Sequence, residues 1–86
     1  MSSFEASTLP NPSNGNFWIK IQSNEGSSAE LKLVDVKGNV LLTNDITIQE
    51  GINVYPVSHL LESGMYFIQI QNTKDQKITV LKHLQN

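Results

Sequence analysis

The chain has 86 residues, of which 38% are hydrophobic and 16% are charged, and its formal net charge is −2. This length accommodates one domain, and the hydrophobic content is high enough for a packed core rather than a disordered chain. Six lysines without an arginine argue against nucleic-acid binding, which needs clustered basic residues to neutralise phosphates. Because cysteine is absent, disulfides, a thiolate nucleophile and Cys-ligated zinc are excluded.

The first part of the chain predicts an entry segment, a loop and a strand. Residues 1–8 are expected to be a linker remnant or a short edge strand, with Phe4-Glu5-Ala6 as its strand-like part. In Pro10-Asn11-Pro12-Ser13-Asn14-Gly15, two prolines fix φ and Asn-Gly favours a tight turn. Residues 16–22 alternate between apolar and polar, which predicts a half-buried strand with Trp18 on its more polar face.

The middle of the chain predicts a β-hairpin. Residues 29–34 and 40–43 read as its two strands, and Gly38 is expected to supply the positive φ that a short connection needs. Asn44-Asp45 is interpreted as a further turn, after which residues 46–48 resume as a strand.

The C-terminal half adds three strands. Residues 52–55 are predicted to be extended until Pro56 ends the ladder or confines it to a sheet edge. Residues 58–63 are predicted to form a crossover that places a leucine in the core. Residues 64–70 should form a central strand with Tyr66, Ile68 and Ile70 on one face, and residues 77–84 a last strand with imperfect alternation.

Short strands separated by turns, without an amphipathic helix, predict an all-β fold, an antiparallel β-sandwich of about seven strands. The sequence suggests no catalytic, cofactor or metal site. His59 and His83 lack neighbouring ligands at metal spacing, and Ser58-His59 lacks a nucleophile elbow.

Four segments, taken in order, carry a resemblance to a known family. They are Pro10 to Phe17, Leu31 to Val40, Gly51 to Val54 and Ser63 to Ile70, and a lysine-containing strand follows them. Over roughly residues 8 to 86 the chain resembles the type A C-terminal sorting domain of cargo secreted by the bacterial type IX secretion system, so residues 9–86 are expected to form that domain.

The resemblance implies an Ig-like sandwich that closes a larger exported protein, whose cargo domain lies N-terminal to it. The cargo would cross the periplasm, pass the outer-membrane translocon and reach the cell surface or the medium. In many relatives a sortase removes the domain upstream of the Pro-Asn-Pro segment and joins the cargo to surface lipopolysaccharide. The domain would then be an address and a sortase substrate, neither an enzyme nor a holder of cofactors.

The family's signature positions are interpreted here as fold determinants; they are Pro10, Asn11, Pro12, Gly15, Gly38, Gly64 and Tyr66. By the same resemblance, Lys77, Lys82 and Leu84 belong to the terminal region presented to the translocon. No acidic residue follows Asp75, so this end is locally positive. The alternative interpretation is an edge strand that lysines protect against aggregation.

Two other functions stay open. An Ig-like binding or adhesion module for glycan or protein would use an exposed Trp18 and Tyr55, with Lys20 and Gln22 as polar neighbours of the tryptophan. A structural spacer would bind nothing. Self-association through an edge strand is a further expectation. Deletion of residues 82–86 is expected to impair export while most of the fold persists.

Overall fold

The computed structural model describes residues 4–10, 16–57 and 61–86. These residues contain seven β-strands and no helix. The strands are β1 (Phe4–Leu9), β2 (Phe17–Ser23), β3 (Ser27–Asp35), β4 (Val40–Ile48), β5 (Gly51–Val57), β6 (Gly64–Asn72) and β7 (Ile78–Gln85).

The strands form two antiparallel sheets with the orders β1-β2-β5 and β4-β3-β6-β7. The first two strands pair as a hairpin, whereas β5 returns to the far side of β2 after β3 and β4 have started the other sheet. This arrangement confirms the prediction of an all-β antiparallel sandwich with seven strands.

The core lies between the two sheets, because every second residue of the central strands faces inward. Ile19 and Ile21 of β2 are fully buried, and so are Ile68 and Ile70 of β6 on the opposing sheet. Each such side chain contributes about 1.5–3 kcal/mol when it leaves water. The rest of the buried cluster comprises Phe17, Ala29, Leu31, Leu33, Ile48, Val57 and Tyr66.

The predicted central strand is confirmed. β6 lies between β3 and β7, with Leu31 paired to Ile70 on one side and Phe67 paired to Lys82 on the other. Ile68 and Ile70 face the core, while Met65 on the opposite face is exposed. The glycine at the start of β6 and the β-branched residues that follow it therefore produce an interior strand of the larger sheet.

The prediction of a turn at Asn44-Asp45 was wrong. β4 runs without a break through both residues, where Asn44 pairs with Leu31 and Asp45 with Glu30. Both side chains are exposed on an edge strand, so their preference for turns is outweighed by backbone pairing with β3.

Pro56 lies inside β5, opposite Trp18, and β5 is an edge strand. Of the two predicted outcomes, confinement to an edge is the one observed. Proline has no backbone N–H to donate, so it is tolerated on a strand that needs to pair on one side only. Leu61 packs against the core, as expected for the crossover leucine. Residues 58–60 of that crossover lie outside the described residues.

Candidate recognition surface

The turn between β6 and β7 sets the register of the last strand. The Asn72 backbone N–H donates to the Lys77 carbonyl at 2.9 Å, and the Asn72 carbonyl accepts from the Gln76 N–H at 2.9 Å. The Asp75 carboxylate accepts a hydrogen bond of 3.0 Å from the Lys77 N–H. Lys77 therefore closes the turn, and β7 starts one residue after it, at Ile78.

β7 presents two chemically different faces. Its outward side chains are Ile78, Val80, Lys82 and Leu84, which we call the outer strip. Ile78 and Val80 are 58% and 54% exposed, and Leu84 is 42% exposed. The outer strip therefore consists of three apolar side chains and one lysine, and it lies on an edge strand of the larger sheet.

The register extends the outer strip onto β6. Leu84 pairs with Met65, which is exposed, and Lys82 pairs with Phe67, which is half-buried. Directly opposite residues on one sheet face lie close enough for their side chains to touch. The apolar surface therefore covers two neighbouring strands at the end of the sheet where β7 finishes.

Positive charge accompanies the outer strip. Lys77 and Lys82 are both exposed, and Lys74 in the turn pairs with Glu25 at 3.6 Å. Lys82 places a positive charge within the outer strip, and Lys77 adds one just before β7, in the cleft that also contains the carboxylates of Glu25 and Asp75. The field of such charges acts on an approaching partner at low ionic strength.

The inner face of β7 ends in two buried polar side chains, although Leu81 on the same face packs against the apolar core. His83 is fully buried, and its ring stacks on Phe17 with 3.8 Å between ring centroids. Its Nδ1 lies 3.1 Å from the Thr8 Oγ1 and its Nε2 lies 3.3 Å from the Gln85 Oε1. Burial lowers the pKa of His83, and the hydrogen bond to Gln85 opposes that shift. Histidine in the last strand therefore ties the two sheets together.

Several signature residues have a structural role, either in the backbone conformation or in a hydrogen bond. Gly38 has a φ of +90° in the β3–β4 turn and Gly64 a φ of +148° at the start of β6, where other residues are strained. The Tyr66 hydroxyl donates to the Glu62 carbonyl at 2.7 Å, the arrangement known as a tyrosine corner in Ig-like sandwiches. Pro10 lies in the bend that follows β1. Asn11, Pro12 and Gly15 lie outside the described residues.

Trp18 lies on the outer face of the smaller sheet and is 48% exposed. The register places Leu9 and Pro56 directly beside it, and Lys20 follows two residues along the strand. Tyr55 does not join this row, contrary to the expectation of exposure. It is half-buried against the core, and its hydroxyl donates to the Thr47 carbonyl.

Both carboxylates in the larger surface cleft are engaged in structural contacts. A cleft of about 190 Å³ between the start of β1 and the start of β7 contains Glu25, Asp75 and Lys77. Glu25 pairs with Lys74, and the Asp75 carboxylate holds the turn. Among residues 4–10, 16–57 and 61–86, no cluster of His, Cys, Asp or Glu could hold a metal ion. The described chain also contains no helix capable of crossing a membrane.

Sequence reasoning named Lys77, Lys82 and Leu84 but missed Ile78 and Val80, which complete the outer strip. Their signal was available, because both share the alternating face of Lys82 and Leu84. Thr8 and Gln85, the partners of His83, carry no recognisable sequence signal, since their contact depends on how the two sheets approach.

Comparison with known proteins bears on the fold and on the family of the chain. Two crystal structures of a β-glucosidase from Listeria innocua, one in complex with glucose, resemble the chain with TM-scores of 0.51 and 0.54 at 13% and 12% identity. The similarity covers 98% and 99% of this chain but 16% of each β-glucosidase chain, so it concerns the fold alone. No curated protein matches. The family model of the secretion system C-terminal sorting domain matches residues 7–82, nearly the whole chain, and the protein therefore belongs to that family.

Proposed function

We propose that β7 is the strand through which this domain docks on the outer-membrane translocon. Membership of the family makes the domain a C-terminal sorting signal of type IX secretion, attached to an exported cargo N-terminal to it that is secreted or displayed at the cell surface. The observation that carries the proposal is the outer strip. Exposed, contiguous apolar side chains on a small domain mark interaction sites, and Lys82 adds a charge that orients a partner.

The contact would combine apolar burial with charge complementarity. Ile78, Val80 and Leu84 offer side chains that lose water on docking, while Lys77 and Lys82 face an acidic rim on the partner. The sandwich supplies a rigid support for this strand, because β7 is paired along its length with β6. Recognition would thus require the folded domain rather than a linear peptide.

The pairing of β1 also bears on sortase cleavage. Residues Phe4–Leu9 are held in the smaller sheet by β2, from Phe4 opposite Ser23 to Leu9 opposite Trp18. A protease needs an extended substrate that is free of other pairing, so a cut inside β1 requires that strand to detach first. We place the sortase cut N-terminal to Phe4, after the folded domain has crossed the periplasm and met the translocon.

Removal of residues 82–86 is a poor test of this function. The deletion takes away fully buried His83 and buried Gln85 together with Lys82 and Leu84 of the outer strip. The expectation that most of the fold survives it disregards this burial, and a failure of export by the truncated domain would not separate lost recognition from lost folding.

Substitutions confined to outer faces separate the two effects. The test variant carries Ile78→Ser, Val80→Ser and Leu84→Ser, fused to a reporter with an export signal in a host with type IX secretion. The control carries Ile52→Ser and Val54→Ser on the outer face of β5, another edge strand, where exposure is 63% and 51%. We expect the β7 variant to remain in the periplasm and the β5 variant to be exported, with both purified domains folded by circular dichroism. Export of the β7 variant at the wild-type level would exclude the outer strip from recognition.

A further inference from the structure

The seam between the two sheets at the end of β7 contains a titratable group in an environment built for its neutral form. His83 belongs to the larger sheet, whereas Thr8 and Phe17 belong to the smaller one. The imidazole contacts both of them, through a hydrogen bond to the Thr8 hydroxyl and a stack on the Phe17 ring. A change in the charge of this ring therefore acts directly on the contacts that join the two sheets.

The hydrogen bonds determine which tautomer is present. The Gln85 Oε1 can accept but not donate, so the His83 Nε2 carries the hydrogen of that contact. In the neutral ring, Nδ1 then has a lone pair and accepts the hydrogen of the Thr8 hydroxyl. Protonation at Nδ1 turns this acceptor into a donor, and the buried Thr8 hydroxyl must reverse its direction to receive the hydrogen bond.

Burial of the ring is what opposes a positive charge on it. Its described neighbours include Thr8 from β1, Phe17 from β2, Tyr66 from β6 and Gln85 from its own strand. Tyr66 is the titratable member of this set, and its hydroxyl is already donated to the Glu62 carbonyl. The Phe17 ring attracts a cation, but burial is the larger effect and lowers the pKa of His83.

We propose that His83 is a pH-sensitive latch, whose protonation loosens the C-terminal end of β7 from β1 and β2 while the rest of the sandwich stays folded. The core cluster on both sides of the seam contains no carboxylate, lysine or histidine side chain. The latch does not depend on whether β7 is the strand that the translocon contacts.

The sign of the effect follows from the lowered pKa. Above about pH 6.5 the ring is neutral in both the closed and the open seam, and the latch is fully closed. As the pH falls below that value, the open form binds a proton that the closed form resists, so opening increases by up to about tenfold per pH unit until the closed-state pKa is reached.

The first experiment follows the histidine rings and the backbone amides by NMR as the pH is lowered from about 8 to about 4.5, a range that brackets the usual histidine pKa. The variant His59→Gln leaves His83 as the one remaining histidine, since the chain has two. We expect His83 to titrate below about 6.5. Amide protection, corrected for intrinsic exchange, should fall at residues 7–9 and 83–85 but not at Leu31 or Ile68. Titration at or above that value, or equal loss of protection throughout the sandwich, would overturn the latch.

The second experiment removes the titrating group. His83→Gln keeps a hydrogen-bonding side chain but cannot be protonated in this range, so the pH dependence of amide protection at residues 7–9 should disappear. His59→Gln is the matched control and should retain it. Persistence of the pH dependence in His83→Gln contradicts the proposal. If that variant does not fold, the titration of His83 in the folded protein decides the question by the criteria already given.

Discussion

The Tyr66 hydroxyl donates a hydrogen bond of 2.7 Å to the carbonyl of Glu62, four residues earlier in the chain. Tyr66 is buried and is the first of the inward-facing residues of β6, followed by Ile68 and Ile70. Its hydrogen bond therefore holds the segment that precedes β6 against the start of that strand. The central strand of the larger sheet is thus anchored where it starts.

We expect Tyr66→Phe to lower the free energy of unfolding by about 1 kcal/mol, since the ring stays in place and the Glu62 carbonyl loses its donor. Denaturant unfolding measures the change. Tyr55→Phe is the comparison, because its hydroxyl bonds to Thr47 at an exposed site where water can replace the lost partner. A loss at Tyr55→Phe that equals or exceeds the loss at Tyr66→Phe would contradict the anchoring role.

The glycine of the β3–β4 turn is required for its backbone conformation. Gly38 has a φ of +90°, and an added Cβ would meet no atom within 4 Å. Gly38→Ala should therefore destabilise the domain by about 1–2 kcal/mol through backbone strain alone. Gly26→Ala is the matched control in the β2–β3 connection, where a Cβ would lie 3.6 Å from the Ile48 carbonyl oxygen, an ordinary contact. Thermal unfolding should separate the two, and equal melting temperatures would refute the argument.

Asp35 holds the same turn by its charge. Its carboxylate accepts hydrogen bonds of 2.9 Å from the backbone N–H groups of Lys37 and Asn39, and the contacts with Asn39 lower its pKa most. The stabilisation is present above about pH 3.9, the unfolded value, and is lost as the pH falls through the lower folded pKa. The amide signals of Lys37 and Asn39 should report this transition by NMR. Asp35→Asn should abolish it, and an unchanged transition in that variant would assign it to another group.

Trp18 and Ile19 are neighbours in β2 with opposite roles in stability. Ile19 is fully buried, so Ile19→Ala should cost about 2–5 kcal/mol, whereas Trp18→Ala on the outer face should cost less than about 1 kcal/mol. Trp18→Ala should also leave export of a fused reporter unchanged. A loss of glycan binding by this variant, measured on an array, would favour the binding-module alternative.

The strands that are easiest to recognise from sequence are those whose composition and burial agree. β6 is apolar on its inward face and begins with a glycine, so its place in the sandwich could be predicted. β4 could not, because Asn44 and Asp45 carry turn propensity and their pairing with β3 depends on contacts distant in sequence.

β7 shows a second limit of sequence reasoning. Alternation separates its two faces correctly, but apolarity does not tell which one is inside, because Ile78 and Val80 are exposed while His83 and Gln85 are buried. The buried polar groups satisfy each other and Thr8, and this pairing across two sheets is invisible in the sequence.

The most direct test of the sorting function is the location of a reporter that carries an export signal and has residues 1–86 at its C-terminus, expressed in a host with type IX secretion. We predict that it appears at the cell surface or in the medium, and that the same reporter without this domain stays in the periplasm. Periplasmic retention of the fusion, in a host that exports the reporter when a known sorting domain is attached, would contradict the account.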